Sequence, residues 1–182
     1  LDGNATFDRA ANIAKSIGSG ANRLGLSPIG IVAIGYPKQS TFDVEKRALD
    51  YTPQASAEFQ KQAKYAYGGA DQFIQFIEKE LKPAIQTKIK VNPQQQSLFG
   101  HSFGGLFVLH TVMTHPETFQ RYIAASPSLW FDNYALLKKQ GIEVLGISPD
   151  DEQKHQRFIE KFTLPFTLLA DPTMKVINDY GV

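Results

Sequence analysis

The chain reads as an α/β protein, a three-layer sandwich with helices on both faces of a mostly parallel sheet. Three observations predict this. Short apolar runs bounded by turn residues recur along the sequence, and stretches of helical period fill the gaps between them. The strand runs are continuously apolar instead of alternating, as expected where both faces of a sheet are covered.

The strand runs are Ile29–Ile34, Ser97–Phe99, Tyr122–Ala125, Ile142–Ile147 and Phe166–Leu169. Ahead of them, Leu1-Asp2-Gly3-Asn4 reads as the tail of a strand running into a loop, and Gly18–Ser27 as glycine, serine and asparagine punctuation. Ile74, Ile77, Leu81 and Ile85 share one helical face while Glu78, Lys79 and Lys82 cover another. A further helix follows Gly104. The last runs from about Asp150 to Phe162, with Ser148 expected as N-cap, Pro149 at the first position and Asp151 three residues after the cap. Phe158, Ile159 and Phe162 form its expected apolar stripe. Ligands of such folds bind beyond the carboxyl ends of the strands, so the loops after Leu1, Ile34, Phe99, Ala125, Ile147 and Leu169 are where chemistry is expected.

Composition narrows the function. The 182 residues suit one domain of ordinary size, and a hydrophobic share of 42% is enough for a buried core. With 19 basic against 18 acidic side chains the net charge is +1, so electrostatics gives no case for a nucleic-acid or anionic-membrane partner. No apolar run approaches the roughly 18 residues of a membrane span. The absence of cysteine excludes disulfides, thiolate metal sites and thiol redox chemistry. No His/Asp/Glu cluster has ligand spacing, so no metal or organic cofactor is expected. The first residue is Leu1 and the chain stops just after Gly181, which reads as a segment of something longer. Compartment and oligomeric state lie beyond the sequence.

One loop carries chemistry: Leu98-Phe99-Gly100-His101-Ser102-Phe103-Gly104-Gly105-Leu106, a G-x-S-x-G motif between an apolar strand and a helical pattern. A serine on a sharp strand-to-helix turn sits in a strained backbone conformation, and glycines beside it let strand and helix pack closely. The turn lifts the Ser102 hydroxyl above the sheet at the positive end of the following helix. The Phe103 amide then faces the place where a tetrahedral oxyanion would form. The alternative is a glycine-rich turn with an incidental serine.

From Leu1 to about Phe131 the chain resembles the esterase branch of the α/β-hydrolase fold, of the type that opens the siderophore trilactones enterobactin and salmochelin. The resemblance rests on Leu1-Asp2-Gly3-Asn4-Ala5, Ile34-Gly35-Tyr36-Pro37, Phe42-Asp43 through Arg47 to Asp50-Tyr51-Thr52-Pro53, Gly68-Gly69-Ala70-Asp71, the elbow, and Ala124-Ala125-Ser126-Pro127-Ser128-Leu129-Trp130. It implies a small-molecule ester substrate, Ser102 as nucleophile, and the Phe103 amide as one oxyanion donor. An amide at Gly3 or Asn4 is the implied second donor. Arg47 matches a family arginine that would meet a polar or anionic substrate group; otherwise it is a solvated arginine paired with Asp43 or Asp50. His101 is expected to pack away from the reacting face, and His110 and His115 to be structural.

From about residue 132 the pattern changes. Gly141-Ile142-Glu143-Val144-Leu145-Gly146-Ile147-Ser148-Pro149-Asp150, Lys154-His155, and Leu164-Pro165-Phe166 through Asp171-Pro172 to Tyr180-Gly181-Val182 resemble peroxiredoxins of the bacterioferritin comigratory protein class, without their cysteine. The implied architecture is a truncated α/β-hydrolase segment, residues 1–131, with a thioredoxin-like βαβα graft, residues 132–182, packed on or extending the same sheet. A hydrolase of this fold needs its acid and then its histidine after the serine. Asp150 or Asp151 could stand at the end of the strand Ile142–Ile147 as the acid, or serve as helix N-terminal charges. His155 is the one candidate base beyond the nucleophile helix, its alternative being a solvated histidine opposite the apolar stripe. The expected result is an acyl-transfer half-site with impaired turnover. The competing readings are an inactive peroxiredoxin-related protein and a non-catalytic chimera.

Overall fold

In a computed structural model, residues 1–21, 29–37, 40–142, 145–162 and 167–179 are described, the side chains of residues 19–21 and 162 excepted. The chain divides into two compact units, Leu1–Ser128 and Leu129–Val182.

The first unit runs α1 (Gly3–Ala21), α2 (Val44–Asp50), α3 (Ala57–Gln62), α4 (Ala70–Phe76), a π-helical turn (Ile77–Leu81), α5 (Lys82–Gln86), β1 (Ser97–His101), α6 (Phe103–Thr114) and β2 (Arg121–Ala125). β1 and β2 pair in parallel, from Ser97 opposite Arg121 to His101 opposite Ala125, with α6 as the connection between them. The predicted face Ile74–Ile85 is one helical rod interrupted by the π-turn. Pro83 explains the interruption: it offers no N–H to the preceding turn and its ring crowds the carbonyl four residues earlier, so the helix widens just ahead of it.

Tyr51, Ala70, Phe73, Ile74, Ile77, Leu98, Phe107 and Val108 form the core of this unit. Three of its rings pack mutually, with centroids 5.5 Å apart for Tyr51–Phe73, 6.0 Å for Tyr51–Phe107 and 5.3 Å for Phe73–Phe107. Such pairs add about 0.5–1.5 kcal/mol each beyond their buried area. Phe107 lies on the helix that follows Ser102, so this cluster anchors the elbow from below.

The second unit runs through a 3₁₀ turn (Phe131–Tyr134), α7 (Ala135–Lys139), β3 (Leu145–Ser148), α8 (Glu152–Phe162), β4 (Thr167–Ala170) and α9 (Lys175–Asp179). β3 and β4 pair in parallel, from Leu145 opposite Thr167 to Ser148 opposite Ala170. Where the sequence changes pattern, Asp132, Asn133 and Tyr134 have φ of 45°, 54° and 61°. Three consecutive non-glycine residues in the left-handed region form a strained joint, at about 1–2 kcal/mol per residue.

The α/β character and the parallel pairing are as predicted, but several elements differ. The described strands form two separate two-stranded sheets, so Ile142–Ile147 contributes β3 to a ladder with β4 and does not extend the ladder of β1 and β2. Residues 143–144 and 166, part of two predicted strands, lie outside the described residues. Ile29–Ile34 joins no ladder among the described residues; its Ile34 carbonyl accepts from the Gly3 amide at 2.7 Å. Leu1-Asp2 leads directly into α1, and that helix runs on into the predicted glycine-rich punctuation as far as Ala21. One face of each small sheet is open, with Phe99 44% and Ile123 51% exposed on the first and Leu145 51% and Leu169 42% on the second. The expectation of covered faces is therefore not met by these described strands.

Asp151, not Ser148, caps α8: its carboxylate accepts from the Lys154 amide at 2.8 Å, while Ser148 lies at the end of β3 and turns its hydroxyl inward. Phe158, assigned to the buried stripe of α8, is 50% exposed.

Candidate active site

Ser102 sits between β1 and α6 with φ 58° and ψ −117°, a conformation that L-residues rarely adopt. Three backbone bonds hold it there. Its N–H donates to the Ala125 carbonyl at 3.1 Å, and its carbonyl accepts from the Ser128 amide at 3.1 Å as well as from Leu106 inside the helix at 2.9 Å. The strain is therefore imposed by the β1–α6–β2 unit as a whole.

The glycines of the motif do different work. A Cβ on Gly100 would lie 2.1 Å from the Gly104 carbonyl oxygen, so the turn closes only because that atom is missing. A Cβ on Gly105 would lie 2.9 Å from the Ala125 oxygen and 3.0 Å from the Pro127 Cα, so Gly105 sets the approach of helix to strand. Gly104 is different: the nearest atom to its Cβ would be 3.5 Å away, an ordinary contact.

The Ser102 Oγ lies 3.1 Å from the Ser128 Oγ, and Ser128 is 4% exposed. Ser128 belongs to the Ser-Pro-Ser run noted in the sequence, which assigned it no role. Its signal was the recurrence of hydroxyls just past β2, at the carboxyl edge where a parallel sheet places its ligands.

The opening turn approaches the same helix. Asp2 has φ 56° and is 5% exposed, and its Oδ2 would lie 3.6 Å from a Cβ on Gly104. Its amide donates to the Tyr51 hydroxyl at 3.2 Å, and its carbonyl caps α1 by accepting from Ala5 and Thr6. Of the two amides expected to serve the oxyanion, that of Gly3 is spent on Ile34. The Asn4 side chain grips Tyr36, accepting from its amide at 2.8 Å and donating to its carbonyl at 2.9 Å.

Arg47 is neither solvated nor paired with Asp43 or Asp50, as its alternative reading had it. It is 9% exposed and bidentate to Asp2, Nε to Oδ1 at 2.6 Å and Nη2 to Oδ2 at 3.0 Å. Its guanidinium carbon stands 5.0 Å from the Phe42 ring centroid, 5.7 Å from Tyr51 and 5.9 Å from Phe103. Asp43 instead caps α2 through the Lys46 amide, and Asp50 accepts from the Tyr36 hydroxyl at 2.9 Å. Burial pushes the Asp50 carboxyl up despite that bond, and burial next to Asp2 pushes the Tyr51 hydroxyl up to about 12.

No histidine of the first unit is hydrogen-bonded to Ser102 among the described residues. His101 is exposed on the open face of β1, where packing was expected. His110 is buried on α6 and bonds the Asp71 carboxylate through Nε2 at 2.7 Å, while His115 bonds Thr114. In the second unit His155 is 6% exposed, which corrects the solvated reading, and its Nε2 lies 2.8 Å from the Ser148 Oγ. Asp150 is exposed, accepts from Ser148 at 3.1 Å and from Lys154, and is held below the usual carboxylate range by those two bonds, Lys154 first. Ser148 therefore stands between His155 and Asp150. The imidazole of His155 and the carboxylate of Asp150 do not form the acid–base bond of a triad. Among the described residues no group of three or more His, Asp or Glu is placed to hold a metal ion.

The arrangement is thus an elbow serine on a strained turn, at the start of a helix and beside a charge-clamped loop. Comparison with known proteins shows the family. A family model described as "Putative esterase" matches residues 1–157. The siderophore triacetylfusarinine C esterase of Aspergillus fumigatus is 38% identical over 154 residues, covering 82% of this chain and 50% of that protein. The crystal structure of the BES protein from Bacillus cereus superposes with a TM-score of 0.71 at 31% identity, over 93% of this chain and 72% of that one. A segment of the C-terminal part is similar to the chloroplastic peroxiredoxin Q of Arabidopsis thaliana, 51% identical over 51 residues, or 28% of this chain and 24% of that protein. The chain spans about half the length of the curated esterase it matches. With a family model covering most of its length and solved esterase structures that share its fold, the chain belongs to the esterase family of α/β-hydrolase type.

Proposed function

We propose that the chain is a serine esterase half-site that accepts the acyl group of a small carboxylic ester on Ser102 and turns over slowly for want of a positioned base. The carrying observation is the conformation of Ser102, φ 58° and ψ −117°, at the start of α6. The Phe103 amide and an amide of the opening turn serve as oxyanion donors in this reading. Siderophore-type esters are the proposed substrate class, supported by similarity to the Aspergillus fumigatus enzyme. Peroxidase chemistry is not proposed, because a thiol peroxidase needs a thiolate and the chain has no cysteine. In this reading the C-terminal peroxiredoxin-type segment is catalytically silent.

The slow turnover has a physical basis. Serine is a weak nucleophile without a base to take its proton, and losing a triad member costs about four to six decades in rate. Imidazole in solution can stand in for such a base. The test is hydrolysis of a 4-nitrophenyl ester by the parent and by Ser102→Ala across an imidazole titration. The proposal expects an imidazole-dependent rate, above the buffer background, in the parent alone. Equal rates in the two proteins at every imidazole concentration would defeat it.

A further inference from the structure

The Arg47–Asp2 pair has a role that its apparent kinship with a substrate-binding arginine hides. We propose that Arg47 is a positioning residue: by clasping Asp2 it holds the Leu1–Asn4 turn against the elbow helix, and with it the second oxyanion donor. The inference rests on the proposed role of Ser102 and of that turn.

Exposure and geometry argue against a receptor for substrate anions. At 9% exposure little of the Arg47 side chain faces solvent, and two of its donors already engage both oxygens of one carboxylate. The rings of Phe42, Tyr51 and Phe103 stand around the guanidinium. A substrate anion that took the Nε–Nη2 edge of Arg47 would have to displace Asp2, and that would strand a carboxylate that is 5% exposed.

The same contacts argue for positioning. Asp2 holds a left-handed φ of 56°, which a non-glycine residue keeps only when its surroundings over-determine it. Those surroundings are Arg47 on the side chain, the Tyr51 hydroxyl on the amide, and α1 on the carbonyl. An N-cap aspartate ordinarily turns its carboxylate onto the helix's own amides. Asp2 instead gives both oxygens to Arg47 and lies beside the first turn of α6 at Gly104. Gly3 and Asn4 follow at once, locked to Ile34 and Tyr36. The carboxylate links the loop to the elbow, and Arg47 is its anchor. A donor displaced by about 1 Å costs on the order of 100-fold in rate.

The test uses Asp2→Asn, Arg47→Lys and the double variant, each confirmed as folded by far-UV circular dichroism. Two readouts apply. One is the imidazole-assisted acylation rate with a neutral and with an anionic 4-nitrophenyl ester; the other is amide hydrogen exchange of the peptide spanning residues 1–6. Positioning predicts that either single variant lowers the limiting acylation rate by about 100-fold for both esters, leaves half-saturation unchanged, and speeds exchange in that peptide. The double variant should lose little more than either single one. A substrate receptor predicts otherwise: Arg47→Lys would raise half-saturation for the anionic ester alone, and Asp2→Asn would leave exchange unchanged. Either of those results overturns the proposal. Faster exchange in variants of a parent that shows no Ser102-dependent acylation would overturn the underlying reading of Ser102 instead.

Discussion

The G-x-S-x-G motif treats its two glycines as equals, whereas the structure separates them, and the difference is large enough to measure. In Gly100→Ala the new Cβ would meet the Gly104 carbonyl oxygen at 2.1 Å and its carbon at 2.3 Å. Those atoms are backbone in the first turn of α6, so relief requires strand and helix to separate by about 1 Å. Overpacking of this kind costs about 1–3 kcal/mol, and the immovable partner puts Gly100→Ala near 3. In Gly104→Ala the nearest atom, Leu1 Cδ1, is 3.5 Å away. That methyl fits, and alanine in a helix gains about 0.5–1 kcal/mol over glycine. Urea titration followed by far-UV circular dichroism reads the difference. For a chain of this size each kcal/mol moves the midpoint temperature by about 2–4 °C, so Gly100→Ala should melt about 6–12 °C lower and Gly104→Ala slightly higher. A Gly100→Ala variant within 0.5 kcal/mol of the parent, or a Gly104→Ala variant equally damaged, would refute the packing argument.

Other perturbations probe the core, the titrating groups and the second unit. Phe107→Ala removes a fully buried ring shared by Tyr51 and Phe73 and should cost about 3–5 kcal/mol in a denaturant titration. Asp50 has a folded pKa raised above the unfolded 3.8, mainly by burial. Its penalty is therefore complete above the folded value and vanishes as pH falls below 3.8, so Asp50→Asn should remove a gain in stability on acidification through that window, read from midpoints across pH. His155→Ala breaks the buried bond to Ser148 and should lower stability by about 1–3 kcal/mol while leaving the imidazole-assisted rate at Ser102 unchanged; a selective loss of that rate would restore His155 as a base. Asn133→Gly relieves a left-handed residue at the joint and should raise stability by up to about 1 kcal/mol in thermal melts.

The elements legible in the sequence were those whose signal is local. The elbow is written in five residues because strand, strained turn and helix are consecutive in the chain, and the structure gives Ser102 the backbone that the motif demands. The helical face Ile74–Ile85 was likewise readable from its period, although the π-turn required weighing Pro83 against the turn before it. What escaped was set by distant partners. Ile29–Ile34 has strand composition, but a ladder needs a neighbour, and among the described residues only its Ile34 carbonyl has a distant backbone partner, the Gly3 amide. Asp2 and Arg47 are 45 residues apart, and nothing near either one names the other. The solvated alternative for the candidate base His155 rests on its place on the helical wheel, yet a hydroxyl at the end of β3 bonds it and it is buried. Periodicity reports which face is apolar; it does not report which polar side chain finds a buried partner.

The most direct test of the central claim is intact-mass spectrometry with peptide mapping after prolonged incubation with a fluorophosphonate, on the parent, Ser102→Ala and Ser128→Ala. The Ser128 hydroxyl lies 3.1 Å from that of Ser102 and could be mistaken for the nucleophile. The account predicts a single adduct on Ser102 in the parent, the same adduct in Ser128→Ala, and none in Ser102→Ala. An adduct that persists in Ser102→Ala, or a cooperatively melting parent that takes up none, would contradict it.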